Sequence, residues 1–281
     1  MTLTLKDGKV HLDGKRLVTK LVKTEESGHW YTEDGQSAHV IIGANGKERN
    51  TTVADARKLK LLPSVTSVLG ILEKPNLTAW KVEQAILSSL TLPRNDGEDL
   101  TDYAKRCVAD SKESTTKAAQ HGTDMHVEAE NILLGREHTK EPALQPYIET
   151  FKKWAKENVV KTYWCEKALV GRGYAGRCDA MVELKDIGPS LIDLKNRKYN
   201  PKYEPFYPES DLPQLAAYRD VCDEEDMALA CVSVVLPSND PTRILTKQWE
   251  EEELVEAKHA FQNLLKVWAW LKNYTPPGME L

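Results

Sequence analysis

The sequence predicts a mixed α/β protein: a central mixed β-sheet flanked by helices, preceded by a small β-rich appendage. Three observations carry this reading. Beyond about residue 140 the pattern runs helix, three strands, helix, strand, helix, an order that calls for one sheet covered by helices. The strand segments alternate with period two or read as short buried runs, whereas the helical ones space apolar residues by three and four. The first 60 residues differ: they are rich in Gly, Lys, Thr and Asp, with short alternating pieces joined by Asp-Gly and Asn-Gly turns. The expected division is residues 1–60 for the N-terminal β-rich appendage and 61–281 for the main domain.

In the appendage, Lys9-Val-His-Leu and His39-Val-Ile-Ile read as strands. Pro63-Ser-Val-Thr66 supplies a helix start, and a helix follows whose stripe is Leu77, Trp80 and Ile86 or Leu87. Leu92 to Gly97 is a polar connector. Glu98 to Leu134 is helical, with a break expected near Ser111 to Thr116 and a seam of Ala118, Gly122, Met125, Ala129 and Ile132. Gly135 stops it. A helix over Ala143 to Asn158 leads into strands Val159–Val170, Tyr174–Leu184 and Leu191–Lys195. An irregular loop to Pro208, a helix Asp211–Cys222, a buried strand Ala228–Leu236 and a long C-terminal helix complete the chain. That last helix carries Leu254, Ala257, Phe261, Leu264, Trp268 and Leu271, a stripe that reads as core packing rather than base stacking.

A chain of 281 residues can bury a sizeable core, and 41% hydrophobic with 29% charged residues is ordinary globular composition. The net charge of −5 excludes a protein that coats nucleic acid through bulk positive charge, but leaves room for an enzyme with a local basic groove. The five cysteines form no Cys-x-x-Cys pair, which argues against a zinc knuckle or iron–sulfur cluster and for reduced thiols in a cytoplasm. The start, Met-Thr-Leu-Thr-Leu-Lys-Asp, lacks the apolar core of a signal peptide, and no apolar run reaches membrane-spanning length. A cytoplasmic protein with no membrane partner is the expectation.

Chemistry concentrates in Gly171-Arg-Gly-Tyr-Ala-Gly-Arg-Cys-Asp179 and, one turn later, Ser190-Leu-Ile-Asp193-Leu-Lys195. Period two puts Leu191, Asp193 and Lys195 on one strand face and Ile192 and Leu194 on the other. If the preceding strand pairs antiparallel, Asp179 approaches them. Two hard oxygen ligands for a divalent cation then stand beside an ammonium. The same acid-x-Lys tripeptide also starts at Asp7, Asp13, Asp110, Glu183 and Glu256, in turns, helices or a strand rim. Only the Asp193 copy ends an apolar strand behind a second Asp. On the long helix, Gly122, His126 and Glu130 share one face, so His126 is either a hydrogen-bonded edge histidine or a metal ligand. Gln214 and Tyr218 likewise share a face of the later helix.

Taken in order, Gly122-Thr-x-x-His126, Gly176-x-x-Asp179, Asp193-x-Lys195 and Gln214-x-x-x-Tyr218 resemble the PD-(D/E)xK nuclease superfamily. The similarity is to the branch holding the RecB nuclease domain, the mitochondrial genome maintenance exonucleases and many phage exonucleases. Pro63-Ser-Val-Thr66, with Leu77-x-x-Trp80 behind it, is also similar to phage members. The resemblance spans roughly residues 60 to 236 and implies a restriction-endonuclease-like core. It implies that His126, Asp179, Asp193 and the Leu194 carbonyl hold Mg²⁺ or Mn²⁺. Lys195 would orient or deprotonate the attacking water and stabilise charge, and Gln214 would position Lys195 or the phosphate, with Tyr218 packed behind. Glu130 borders the site, and Glu166 supports it, contacts DNA or forms an edge-strand ion pair.

The loop Asn196-Arg-Lys-Tyr-Asn-Pro-Lys-Tyr-Glu-Pro-Phe-Tyr-Pro interleaves cations with aromatics. Two readings stay open: Arg197, Lys198, Tyr199 and Tyr203 bind DNA, or the loop's aromatics pack on the core. Arg172 and Arg177 either bind phosphate or neutralise Asp179. The implied function is a metal-dependent DNA exonuclease, phage-encoded and working in replication, recombination or DNA degradation in the host cytoplasm. Lacking helicase motifs, it would act on available single- or double-stranded ends or with a recombination or single-strand-binding partner. A structure-selective endonuclease and a non-catalytic DNA- or partner-binding module are the rivals.

Overall fold

A computed structural model describes residues 28–43, 45–73, 75–222 and 229–279, together with three strands before them. Those strands, β1 (Leu3–Lys6), β2 (Lys9–Leu12) and β3 (Lys15–Arg16), form an antiparallel meander. Next come β4 (Trp30–Tyr31), β5 (Val40–Ile42) and β6 (Glu48–Asn50), the last two a hairpin turning at Gly46, whose φ of +71° suits glycine. The region expected to be β-rich also holds a helix, α1 (Val53–Leu59). Thr52 caps it by accepting from the Asp55 N–H while Asp55 reaches back to the Thr52 N–H.

Within residues 28–60, Trp30 and Ala56 are built into the main core, whereas the β5–β6 hairpin stays mostly exposed. Strand β4 pairs with β7 (Leu62–Pro63), and the buried Trp30 ring packs edge-on to Trp268, 5.9 Å between centroids. Its indole N–H is satisfied by the Thr51 carbonyl at 3.2 Å.

Helices α2 (Val65–Leu69, capped by Ser64), α3 (Pro75–Thr91), α4 (Leu100–Leu133) and α5 (Gln145–Asn158) precede β8 (Val159–Gly171), β9 (Tyr174–Leu184) and β10 (Gly188–Arg197). Then follow α6 (Asp211–Cys222), β11 (Ala230–Pro237), β12 (Leu245–Gln248) and α7 (Glu251–Lys272). The main sheet has the order β12-β11-β10-β9-β8 and is mixed, because β10 and β11 run parallel while their outer neighbours are antiparallel. The parallel pair is joined through α6 as a crossover.

Apolar side chains leave the sheet on both faces. Met125 of α4 and Ile148 and Phe151 of α5 pack over Ala180, Val182, Ile192 and Val234. On the opposite face Val65, Leu215, Phe261 and Trp268 of α2, α6 and α7 cover Met181, Leu191 and Cys231. The result is a three-layer α/β/α arrangement with a buried core on each side of the sheet.

Several expectations need correction. Helix α4 is continuous through Ser111 to Thr116, with no break. In α3 the stripe has helical spacing, yet Leu77, Trp80, Ile86 and Leu87 are exposed rather than buried. Leu271 is exposed, and Leu265 and Ala269 take its place in the core face of α7. The edge strand β12 was not expected. All five cysteines are free thiols, and no described helix is long and apolar enough to cross a membrane.

Candidate active site

The site forms where the sheet is locally irregular. Pairing of β9 with β10 runs as far as Ile192↔Ala180 and stops, although β10 stays paired with β11 through Arg197↔Pro237. Beyond that point the Leu194 N–H has lost its strand partner and donates instead to Asp179 Oδ2 at 2.6 Å. A strand residue turns its N–H and C=O toward the same neighbour, so the Leu194 carbonyl faces this gap as well.

A second irregularity turns the carboxylates. On β9, Cys178 enters the core beneath α6 and α7, while Ala180, two residues on, enters the core beneath α4 and α5. Strict alternation would put both on one face. On β8 the same slip separates Leu169 from Cys165. The paired positions step from Cys165↔Ala180 to Lys167↔Cys178, bracketing Glu166 and Asp179. Glu166 has φ +50°, a left-handed conformation that costs a non-glycine residue about 1 kcal/mol or more. The strain has a consequence: one ligand-capable atom each from Glu166, Asp179 and His126 of α4 lie within 4.8 Å of one another. His126 Nδ1 is 3.8 Å from Asp179 Oδ1. Burial first, and Asp179 second, push the Glu166 carboxyl up to about 7, with Arg177 opposing. Crowded negative charge of this kind is what a divalent cation relieves.

Asp193 and Lys195 stand on the next strand. Asp193 is 2% exposed, and its Oδ1 receives Lys195 Nζ at 2.6 Å. Its Oδ2 is buried without a hydrogen-bond partner, an orphan atom that a cation would satisfy. Burial raises the Asp193 carboxyl, Lys195 draws it back and Asp179 raises it further. Burial also works against the Lys195 ammonium, yet Asp193 and Asp179 hold its pKa above the ordinary lysine value. Asp193 and Gln214 hold the Lys195 ammonium in place, which suits it to orienting and stabilising.

Behind the lysine, Gln214 Oε1 accepts from Nζ at 3.2 Å, and Tyr218 follows one turn on along α6. Burial raises the Tyr218 phenol far above its usual range. Gly176 has a physical reason: a Cβ there would lie 2.7 Å from Tyr218 Cε1 and 2.9 Å from its hydroxyl. Two separate sequence motifs thus meet in one contact.

A nitrogen ligand with carboxylates and a carbonyl fits Mg²⁺ or Mn²⁺, and the imidazole tilts the set toward Mn²⁺. The expected ligands His126 and Asp179 come together, with Glu166 completing their cluster. Asp193 stands outside that cluster, with Oδ1 on Lys195 and Oδ2 unpartnered. Glu130 is turned to Arg136, 3.1 Å away.

The residues expected to bind DNA divide. Arg177 borders the cluster, half exposed, 3.8 Å from Glu166. Arg172 lies in the β8–β9 turn, beyond Tyr174 and so more than roughly 17 Å along the strand from Asp179. Arg197 is committed to structure: its two terminal nitrogens bind the two Asp211 oxygens, each at 2.8 Å, and it also donates to the Pro205 carbonyl and lies over the Tyr207 ring. Tyr199 is pinned by backbone bonds to the Asn239 side chain, while Lys198 is exposed and Tyr203 is 72% exposed. The loop is anchored by Arg197 and Phe206 and open at Lys198 and Tyr203. Asp211 was missed; its signal was an acid at the start of a helix after a polar Glu-Ser pair. Comparison with known protein-family models and with curated proteins found no match to this chain.

Proposed function

We propose that this protein is a divalent-metal-dependent deoxyribonuclease, and within that class an exonuclease. One observation carries the reading. A cation-type cluster of Glu166 from β8, Asp179 from β9 and His126 from α4 stands beside the Asp193–Lys195 ion pair of β10, at the point where β9 parts from β10. The order of motifs along the chain, and the meeting of Gly176 with Tyr218, support it further.

His126, Glu166, Asp179, Asp193 Oδ2 and the Leu194 carbonyl would hold Mg²⁺ or Mn²⁺. When bound, the ion supplies Lewis-acid polarisation of a phosphate and a lowered pKa for an attacking water. The chain's own groups do the rest. Asp193 and Gln214 fix the Lys195 ammonium, so its third hydrogen is free to point into the site toward a phosphate oxygen or a water. As extra negative charge develops on the phosphorus oxygens, this preorganised cation stabilises it without reorganising. Arg177, at the edge of the cluster, can position a flanking phosphate. Tyr218 stands one turn beyond Gln214 on α6, so its packing sets the lysine's reach.

The test is digestion of end-labelled single- and double-stranded DNA with Mg²⁺, Mn²⁺ or EDTA. Nucleotide release should need metal, and Lys195→Ala should abolish it while DNA affinity, read in Ca²⁺, stays within about threefold, the scale of one modest contact. Wild-type rates in Lys195→Ala would refute the site. A covalently closed single-stranded circle should resist; cleavage at the linear rate would make the enzyme an endonuclease.

A further inference from the structure

A cleft of about 700 Å³ opens beside the site, between helices α2–α3 and the loop that follows β10. One wall presents Leu77 and Trp80, which are 42% and 37% exposed. The other presents Lys198 and Tyr207. Tyr207 is 45% exposed although the Arg197 guanidinium lies 4.2 Å from its ring centroid. The second wall is fastened to the catalytic strand, because Arg197 and Lys198 follow directly from Lys195 and Asp211 locks Arg197. Lys198 stands only three residues, roughly 10 Å, beyond Lys195.

We infer that this cleft receives an unpaired nucleobase of the strand whose phosphodiester lies at Lys195, stacking it between Trp80 and Tyr207. The inference rests on the nuclease reading and deepens it by naming single-stranded DNA as the substrate. Charge selects the base rather than the backbone. Glu73 and Glu209 also line the cleft and would repel a run of phosphates, whereas a heterocycle is flat and neutral, and each base carries at least one N–H donor for a carboxylate. Lys198 at the junction with β10 suits the phosphate that joins this base to the scissile linkage. A paired base cannot enter, since its faces are covered by its neighbours and its edge by its complement. An aromatic pair of this kind accepts any base and confers no sequence preference.

The test uses the full chain, with linear oligothymidylate as substrate and the same oligomer carrying one abasic residue stepped through the positions nearest the cleaved end. In the wild type, one abasic position should raise KM about tenfold, the loss of one base–aromatic stack, with kcat within about twofold. Trp80→Ala should raise KM equally on the intact oligomer, show no further loss on the abasic one, and be restored by Trp80→Phe. Equal KM for intact and abasic oligomers in the wild type, or a wild-type KM in Trp80→Ala, would overturn the inference. If the wild type cleaves nothing, the nuclease reading falls, and fluorescence anisotropy of the two oligomers in Ca²⁺ still decides the cleft: equal affinities reject it. A Trp80→Ala variant that binds DNA normally and differs only in sedimentation would reassign this face to protein association and reject the base site.

Discussion

Replacing Gly176 by alanine should damage both stability and catalysis through a single contact. The new Cβ would sit 2.7 Å from Tyr218 Cε1 and 3.2 Å from Cζ. That is about 0.8 Å inside the ~3.5 Å at which carbon pairs are at ease. Tyr218 is 3% exposed in the core beneath α6, so its ring has no solvent to retreat into. Overpacking of this order costs about 2 kcal/mol. With a urea m-value of about 3 kcal/mol/M, the unfolding midpoint would drop by roughly 0.7 M. Tyr218 stands one turn beyond Gln214 on α6, and Gln214 holds Lys195 at 3.2 Å, so a displacement approaching 1 Å passes to the ammonium. Misplacement on that scale costs on the order of 10²-fold in kcat. Urea denaturation followed by tryptophan fluorescence, together with the oligonucleotide assay, reads both effects. In a Tyr218→Leu background, which lacks the ring carbons, Gly176→Ala should cost far less stability than in the wild type. A Gly176→Ala protein with wild-type midpoint and rate would show that the glycine is not there to admit Tyr218.

Other perturbations address separate parts of the structure. Asp211→Asn should destabilise by about 3 kcal/mol, because it leaves the mostly buried Arg197 guanidinium without its charged partner, and should speed proteolysis within residues 198–210. Burial works against the Asp211 charge, but Arg197 more than offsets it and the carboxyl pKa lies below its ordinary value. This stabilisation is present above the unfolded pKa of about 3.9 and is lost as pH falls through the lower folded value, so acid unfolding of Asp211→Asn should begin at higher pH. Burial, then the stacked His29, lowers the His39 pKa, and His39 Nδ1 accepts the Trp30 N–H at 3.0 Å. Its neutral form is favoured in the fold, so the melting temperature should drop as pH falls below about 6.5, and His39→Gln should flatten that drop. Glu166→Gln should weaken Mn²⁺ binding by about tenfold in calorimetry with an unchanged far-ultraviolet spectrum; unaltered affinity would remove Glu166 from the ligand set.

The elements around the site were legible because their patterns are strong and local. Period two placed Leu191, Asp193 and Lys195 on one face, and the structure separates Leu191 from Ile192 and Leu194 accordingly. The expected helix Asp211–Cys222 matches α6 residue for residue. What the pattern could not carry was tertiary. The apolar spacing of Leu77 and Trp80 specifies a helix but not what covers it, and in the folded chain these side chains stay open. The polar run in α4 looks like a break, yet a polar stretch needs no core to remain helical once both its ends are held. Helix α1 had a readable mark in the Thr52–Asp55 capping box, whereas β12, with Leu245 and Lys247 around Thr246, is too short and polar to announce itself. Arg197 resembles a phosphate ligand in sequence, and only the position of Asp211 turns it into an anchor.

Glu166 was the least legible of the site residues, and it shows why the site needs an imperfect sheet. In a regular antiparallel pair every backbone group of β9 and β10 would be used by the ladder, and opposite carboxylates on β8 and β9 would follow the alternation into the core or away from it. Ending the ladder at Ile192↔Ala180 frees the Leu194 N–H for Asp179 and leaves its carbonyl facing the gap. Slipping the alternation on β8 and β9 together brings Glu166 and Asp179 to His126. Both departures cost stability locally, and both are tolerated because β10 remains tied to β11 along Ser190–Arg197. Lys195 and Asp193 ride on that intact parallel pair while the ligand cluster rides on the bent one. Substitutions that straighten β8 at Glu166 should therefore disperse the ligands and leave the lysine pair standing, whereas loss of β11 packing should disable the lysine first.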